Sequence, residues 1–326
     1  MAVKSDLNPE DIQNIIRDYS IGGFCGYSPV SRGTVQTVFI IRTEKAKYFL
    51  KYYENRPVKS VLFESCLINY LFGKNYSCPG IVKNNRGKSM GICKGKPYLI
   101  FEFAEGTAPK KLSWKQNQLI IRKAAELQNL TKKYRPVYKD FRWNYNVERC
   151  REVAEQEAKK LGTEEAKKKL MWHRDELEKL VLPKNLPRGI CHCDLSDFAE
   201  NVFFQNGKIS AVLDFDDANY TYLVFDLVYL IYPFTRSFDH DTWQNFKIED
   251  NVFDFYESKR TVNEYSQYRK LSNNEKWHLF DMYKLGILFD CVWYFNRGRA
   301  DNFYEKKKID FLNRLGGDGF YRGLFG

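Results

Sequence analysis

Apolar residues fall into strand-like and helix-like segments that follow one another along the first third of the chain. The segments 34–43 and 46–54 are rich in β-branched and aromatic residues and are joined by a charged turn, which predicts a β-hairpin. Residues 58–75 carry apolar side chains at helical spacing and predict a helix. The apolar stretch 95–106 predicts a further strand that ends in a glycine. This part of the chain is therefore expected to be rich in strands.

Helical patterns dominate the remainder of the chain. Two short strand-like pieces, 186–195 and 209–218, interrupt this helical part, and a glycine, Gly162, divides its most charged segment into two helices. Asn8 and Pro9 mark the beginning of a short helix over residues 9–19. Further helices are predicted over residues 113–131 and 146–181 and from about 272 onward.

These segments predict two lobes. Residues 1–106 form a small β-rich N-terminal lobe, and residues 107–326 form a larger helical C-terminal lobe that contains the short strand-like pieces. Because no Gly/Ser-rich linker separates them, we expect one cooperative unit with a cleft between the lobes. The fold class is therefore α+β.

Composition excludes several classes of protein. Hydrophobic residues make up 44% of the 326 residues, which is enough for a substantial core. The net charge of +11 is spread along the chain, and the densest lysine runs lie in predicted helix surfaces, so no nucleic-acid partner is expected. The longest apolar stretch, about 220–234, is interrupted by Asp226 and is too short to span a bilayer.

The cysteines and the N-terminus bear on localisation. Eight cysteines are scattered through the chain, mostly within apolar runs, which is typical of reduced, buried thiols rather than of a disulfide scaffold. The N-terminal residues lack the apolar core of a signal peptide. We therefore expect a cytoplasmic protein without a membrane partner.

Five polar elements occur in an order that phosphoryl transfer requires. Lys51 lies inside a predicted strand, and Glu64 follows 13 residues later on the next helix. Asp194 and Asn201 lie in the stretch "HCDLSDFAEN", and Asp214 follows in "VLDFDDA". The transferred group carries dispersed negative charge, so the protein has to supply positioning and cations. A strand lysine, a helix carboxylate, a catalytic aspartate and two oxygen ligands for Mg²⁺ together meet this need.

A zinc site is the competing interpretation of the cysteine-rich stretch. Cys191 and Cys193 can share one face of a strand, but His192 then points to the opposite face. Structural zinc sites usually have two ligand pairs at wider spacing, and no second pair lies nearby in the sequence. The spacing therefore argues against zinc.

The motifs resemble those of the aminoglycoside phosphotransferase and choline kinase family, which has a protein-kinase-like fold. The motifs of this family are matched in order along the chain. Residues 192–194 match its His-Gly-Asp, 201–204 its Asn with an apolar run, 213–216 its Ile-Asp-Phe with a following acid, and 226–227 its later Asp-Leu. Within this family, the opening segment, "LPRGICHCDL" and "NVFF" are most similar to bacterial homoserine kinases of this fold. The resemblance extends over residues 7 to 320.

The resemblance implies a role for each matching residue. It implies that ATP and Mg²⁺ are the cofactors, with Asp194 as the catalytic base and Asn201 and Asp214 as magnesium ligands. Lys51 would bind the nucleotide phosphates and pair with Glu64. The remaining nucleotide contacts would come from the backbones of Glu102 and Ala104, which meet the adenine, and from the loop around Gly33.

Further residues would support the site or select the substrate. His192 and Asp226 are expected to brace the catalytic loop, and the ring of His192 to bond the backbone near Asp214. Acidic residues would suit a cationic or zwitterionic substrate, and three of them could bind a second metal ion instead. The acids with this substrate or second-metal prediction are Asp197, Asp216 and Asp217; Glu200 is expected to serve only the cationic substrate.

Two departures from the family pattern matter. Asn201 lies seven residues after Asp194, two more than in the family, so the loop either bulges or lets Asp197 share the metal. The stretch "DFDDAN" is also more acidic than in homoserine kinases.

The leading function is phosphorylation of the hydroxyl of homoserine or a related amino alcohol. An aminoglycoside or choline-type kinase and a non-catalytic, spore-coat-type scaffold are the alternatives. A protein kinase is a weaker option, because no Ala-Pro-Glu segment follows Asp214. The oligomeric state, monomer or dimer, stays open.

Overall fold

A computed structural model describes residues 7–30, 35–195, 200–231, 253–296 and 305–326, with side chains for all of these except 293–296. The described residues form two compact units. The first contains those of 1–111, 133–142 and 199–218, and the second contains those of 112–132, 143–198 and 219–326. The lobe boundary predicted after residue 106 stays a prediction.

The first unit is built on a five-stranded antiparallel sheet. The predicted hairpin is confirmed as its second and third strands, and the strand predicted at 95–106 is confirmed as β5, which ends earlier than expected. The strand order is β1-β2-β3-β5-β4. The strands are β1 (Phe24–Pro29), β2 (Thr37–Thr43), β3 (Lys47–Tyr52), β4 (Met90–Cys93) and β5 (Lys96–Glu102).

Two helices belong to the sheet unit. Helix α1 (Pro9–Arg17) begins with a capping box between Asn8 and Asp11, which satisfies two backbone N–H groups that the helix cannot pair internally. Its isoleucines join the core formed with the sheet. Helix α2 (Val58–Phe72) confirms the helix predicted at 58–75, and Glu64 is among its buried residues.

A second, small sheet in the first unit carries two of the predicted site residues at one end. Strands β7 (Val202–Gln205) and β8 (Lys208–Val212) form a hairpin, so Asn201 just before β7 and Asp214 just after β8 lie at the same end. Thr107 and Phe204 exchange backbone hydrogen bonds of 3.1 and 3.0 Å. The hairpin is thereby attached to the chain that follows β5.

The second unit is mainly helical. Gly162 takes a φ of 67° between two helices, which confirms the predicted division of the charged segment. A two-stranded sheet pairs β6 (Arg188–Cys191) with β9 (Asn219–Tyr222). The helices are α3 (Trp114–Leu130), α4 (Val147–Leu161), α5 (Glu164–Glu178), α6 (Phe225–Leu230), α7 (Phe255–Tyr268), α8 (Asn273–Asn296) and α9 (Glu305–Phe325), and α9 is kinked at Gly316. Within the described parts of the chain, none of the helices combines the length and the apolar character needed to cross a membrane.

The attachment of the β7–β8 hairpin requires a glycine at position 106. Gly106 has a φ of 114°, and a Cβ there would lie 2.8 Å from the Phe204 carbonyl oxygen. We expect Gly106→Ala to lower the free energy of unfolding by at least about 2 kcal/mol. The alanine adds the cost of a positive φ and the clash of its Cβ with the Phe204 carbonyl oxygen. Urea unfolding followed by tryptophan fluorescence measures this change.

Gly207→Ala is the matched control for this prediction. Gly207 lies in the turn of the same hairpin with a φ of 75°, but a Cβ there meets no atom within 4 Å. We expect it to cost only the backbone contribution, about 1 kcal/mol. Equal losses for the two variants would mean that the junction at Gly106 adapts to a side chain.

Candidate active site

A buried lysine joins a strand, a helix and a turn in the first unit. Lys51 lies on β3, a central strand of the sheet, and is 7% exposed. Its Nζ lies 3.2 Å from Oε1 of Glu64 on α2 and 2.7 Å from Oδ1 of Asp214. The structure therefore brings three of the five predicted elements together.

The two carboxylates keep Lys51 charged. Burial alone would lower the pKa of the ammonium group, but the negative charges of Asp214 and Glu64 outweigh burial and raise the pKa well above its usual value. The face of the Tyr53 ring, 5.0 Å from Nζ, adds a cation–π contact. A permanently charged group at this position can meet phosphate oxygens.

Asn201 and Asp214 form an oxygen-rich end of the β7–β8 hairpin. The Leu213 N–H donates to the Asn201 carbonyl at 2.8 Å, which extends the strand pairing by one step toward Asp214. The Asp214 side chain is 48% exposed although Lys51 holds one of its oxygens. Carboxylate and amide oxygens fit a hard divalent cation such as Mg²⁺, which usually takes one or two protein carboxylates and completes its shell with water and phosphate.

The donor set is small by the standard of all-protein metal sites. Among the described residues, no group of three His, Cys, Asp or Glu side chains could hold a metal ion. A divalent cation at the hairpin end would therefore depend on ligands supplied by a bound phosphate.

The segment that carries Asp194 is braced in the second unit by Asp226. Oδ1 of Asp226 accepts the Cys193 N–H at 2.9 Å, and the backbone of His192 donates a further hydrogen bond to the carboxylate. Cys193 has a φ of 64°, in the left-handed region that favours glycine. Asp194 follows directly and is half-buried. Asp226 thus bonds to the backbone directly before Asp194, and its role in bracing a catalytic loop stays a prediction.

Asp226 is itself held by a chain of buried polar side chains. Nε2 of Gln128 donates a hydrogen bond to Oδ2 of Asp226 at 2.9 Å. The side-chain oxygen Oε1 of Gln128 accepts a hydrogen bond from the Tyr265 hydroxyl at 2.6 Å. Arg269 donates to the Tyr265 oxygen at 2.8 Å and to Glu275 at 2.6 Å. Buried polar groups of this kind fix a single arrangement when all of them are paired.

The two acids that follow Asp214 contact an arginine. Arg56 donates to both oxygens of Asp216 at 3.0 Å and to Asp217 at 2.9 Å. Gln36 donates to Oδ2 of Asp216 at 2.9 Å, so each oxygen of this buried carboxylate has a protein partner. Burial alone would raise the pKa of Asp216, but the charges of Lys51 and Arg56 hold it below its usual value. Substrate or second-metal roles for the two acids stay predictions.

The other predicted residues are placed as follows. Gly33 and Asp197 lie outside the described residues. The predicted bulge between Asp194 and Asn201 also falls there, because residues 196–199 of this loop are not described. Glu102 ends β5, and its N–H donates to the Gly80 carbonyl at 2.9 Å; Ala104 follows two residues later. Glu200 is exposed. His192 is fully buried, and its expected ring contact near Asp214 stays a prediction.

Three polar residues with central contacts were missed from the sequence. Gln128 was detectable, because it falls on the apolar face of α3 with Ile121 and Ala124. Arg56 and Arg142 lie in short connecting segments, where no periodic pattern distinguishes a buried arginine from an exposed one. Their contacts depend on segments distant in the sequence.

Comparison with solved structures identifies the class of fold. An aminopropanol kinase associated with a microcompartment has a TM-score of 0.67 at 15% identity, covering 97% of this chain and 99% of that one. An amicoumacin kinase in complex with AMP-PNP and Ca²⁺ has a TM-score of 0.66 at 16% identity, covering 95% of each chain. The kinase-like α+β fold predicted from the motifs is confirmed.

Sequence comparison identifies the family. Residues 26–258 match the phosphotransferase enzyme family, and the chain belongs to it. The homoserine kinase of Rhodopseudomonas palustris (strain BisA53) is 26% identical over 316 residues, covering 96% of this chain and 88% of that protein. The homoserine kinase of Agrobacterium fabrum is 27% identical over 324 residues, with 97% and 90% covered. The chain is a small-molecule kinase, and the scaffold alternative finds no support among these relatives.

The burial of Asp226 generates a prediction about pH. Burial raises the pKa of Asp226 from 3.8 to about 6 against the opposing effect of its hydrogen bonds. The folded state then holds the proton more tightly than the unfolded state. Asp226 therefore contributes stability below about pH 4, and this contribution is lost as pH rises through 6. The side chain in Asp226→Asn cannot ionise, so this variant does not lose stability at this position as pH rises.

The measurement is urea unfolding of both proteins at pH 4 and pH 7. Relative to Asp226→Asn, we expect the wild-type free energy of unfolding to fall by about 2 kcal/mol between the two pH values. The comparison cancels the other titrating groups, which the two proteins share. A difference that does not change with pH would mean that Asp226 titrates with its ordinary pKa.

Proposed function

We propose that this protein transfers the γ-phosphoryl group of ATP to the hydroxyl of a small amino alcohol, with homoserine as the leading substrate and Mg²⁺ as the metal. The observation that carries the reaction type is Lys51, buried and charged between Glu64 and Asp214. The net charge of +11 also favours an anionic co-substrate such as ATP.

The choice of homoserine is supported by the relatives that span nearly the whole chain. The two homoserine kinases described above cover at least 96% of it. The solved aminopropanol kinase also acts, by its name, on an amino alcohol, which supports this substrate class at lower sequence identity. An aminoglycoside is the alternative amino-bearing substrate, since a spectinomycin phosphotransferase in complex with ADP shares the fold with a TM-score of 0.59.

The chain's own residues divide the work. Asp194 accepts the proton of the substrate hydroxyl as its oxygen attacks the γ-phosphorus, and the bond from this phosphorus to the bridging oxygen breaks to release ADP. Lys51 faces the phosphates, and Glu64 orients its ammonium group. Asp226 positions Asp194 by fixing the backbone of Cys193. The backbones of Glu102 and Ala104, with the loop around Gly33, hold the nucleotide.

Asn201 and Asp214 would hold the magnesium ion. When bound, this ion supplies positive charge that neutralises the phosphate oxygens during transfer. The exposed carboxylate of Asp214 and its position at the same hairpin end as Asn201 support this assignment.

The substrate prediction is tested with a panel of acceptors. Purified protein with ATP and Mg²⁺ is assayed for ADP release with homoserine, 1-amino-2-propanol, choline and spectinomycin. We expect kcat/KM to be highest for homoserine by at least about tenfold, because an acceptor with a well-placed hydroxyl and both charges uses more of the polar site. Phosphorus NMR of the product confirms transfer to oxygen. A higher kcat/KM for another acceptor would replace homoserine as the substrate.

The role of Asp194 is tested by Asp194→Asn. Loss of the base should lower kcat by about 10²- to 10⁴-fold with little change in nucleotide affinity. Asp175→Asn, at an exposed position on α5, is the matched control and should keep wild-type activity. Retention of activity in Asp194→Asn would exclude Asp194 as the base.

A further inference from the structure

One buried arginine in the first unit bonds to two separate segments. Arg142 follows the short 3-10 turn Lys139–Phe141 and is 8% exposed. Its Nη1 donates to the carbonyl and the hydroxyl of Ser60 on α2 at 3.2 and 3.0 Å. The guanidinium group therefore forms hydrogen bonds with the first turn of this helix.

The remaining donors of Arg142 reach the chain after Asp214. Nη2 donates to the Phe215 carbonyl at 3.0 Å and to the Asp216 carbonyl, and Nε donates to the Ala218 carbonyl at 2.9 Å. One planar group thus binds α2 and three backbone carbonyls of the turn. Charge-assisted hydrogen bonds of this kind are about twice as strong as neutral ones.

Both segments carry groups of the candidate nucleotide site. Ser60 lies one helical turn before Glu64, which contacts Lys51. Phe215 directly follows Asp214, whose φ of 56° is costly for a residue with a side chain and has to be held by its surroundings. Arg142 therefore links the lysine–glutamate pair to the carboxylate on the other side of the lysine.

A second arginine reinforces the same turn by a different route. Arg56 precedes α2 and binds the side chains of Asp216 and Asp217, whereas Arg142 binds backbone carbonyls. The turn is consequently held through its side chains and its backbone at once. Both arginines bind the turn that follows Asp214, so they act on the site through this turn.

We propose that Arg142 is a positioning residue that fixes the geometry of the Asp214 carboxylate relative to the Lys51–Glu64 pair. The inference rests on the proposed function, because it treats these groups as a nucleotide and metal site. It requires the fork of arginine: a lysine keeps the charge but donates from one nitrogen and cannot reach Ser60, Phe215 and Ala218 together. Arg142→Lys therefore separates geometry from charge.

The first readout is made on the protein without nucleotide or metal. We expect Arg142→Lys to speed amide hydrogen exchange in both segments it binds, 58–72 and 213–218, at a temperature where the protein stays folded. Exchange in β1 and β2 should not change. Arg174→Lys is the matched control, because Arg174 lies at the surface of the second unit and forms an exposed ion pair with Glu155.

The second readout is binding and turnover. We expect Arg142→Lys to weaken binding of Mn²⁺ with AMP-PNP, measured by electron paramagnetic resonance, by about 10- to 100-fold, the usual effect of removing a group that orients a metal ligand. The kcat should fall by a similar factor, while the KM for the acceptor alcohol stays unchanged. A purely structural role would lower the melting temperature alone.

The outcomes decide between these roles. Wild-type metal–nucleotide binding and kcat in Arg142→Lys would overturn the proposal, whatever its melting temperature. If Arg142→Lys does not fold, Ser60→Ala, which removes one acceptor at a buried position, is tested instead; we expect binding to weaken by about threefold, and wild-type binding would overturn the proposal. If the wild type itself neither binds nucleotide nor turns over, the proposed function fails, and the exchange data alone still test the link between the segments.

Discussion

The buried ammonium group of Lys51 is the interaction on which the first unit depends. Removing a charge from water is costly, and it is tolerated only where opposite charges and hydrogen bonds replace the lost hydration. Glu64 and Asp214 provide both, from a helix and from a turn that lies 163 residues further along the chain. The lysine thereby requires the sheet, α2 and the β7–β8 hairpin to meet in one arrangement. The same requirement leaves a charged donor beside an exposed carboxylate, which is what binding of a polyphosphate with a cation needs.

The two segments that carry the proposed catalytic groups follow a common plan. Each contains a residue with a positive φ that is not glycine, Cys193 before Asp194 and Asp214 itself. In each case a buried polar side chain, Asp226 or Arg142, forms hydrogen bonds with the backbone of that segment. Backbone strain of this sort costs about 1 to 3 kcal/mol and persists only when the surroundings determine the conformation. Contacts with the main chain therefore hold both segments, in addition to the ion pairs of Lys51 in the first unit.

Local pattern was sufficient for several of the longer elements, although helix α7 was not predicted. The β2–β3 hairpin, the long helix α2 and the break at Gly162 were predicted because apolar spacing, turn residues and a glycine act within a few residues of one another. The strands β1, β4 and β9 were not assigned. Each has only four to six residues; β1 and β4 pair with the next strand along the chain, whereas β9 pairs with β6. A segment this short contains too few alternating positions for a periodic pattern to distinguish it from a loop.

The sequence by itself determined the fold class, the family and the order of Lys51, Glu64, Asp194, Asn201 and Asp214, because spacing around reactive residue types reflects the chemistry of phosphoryl transfer. Only the tertiary structure decided how these groups are held. Asp216 lies two residues after Asp214, and only the structure shows that it is buried against Arg56. Arg142 carried no signal at all in the sequence. Burial and hydrogen bonding depend on which distant segments meet, and the position of an arginine in the chain does not contain that information.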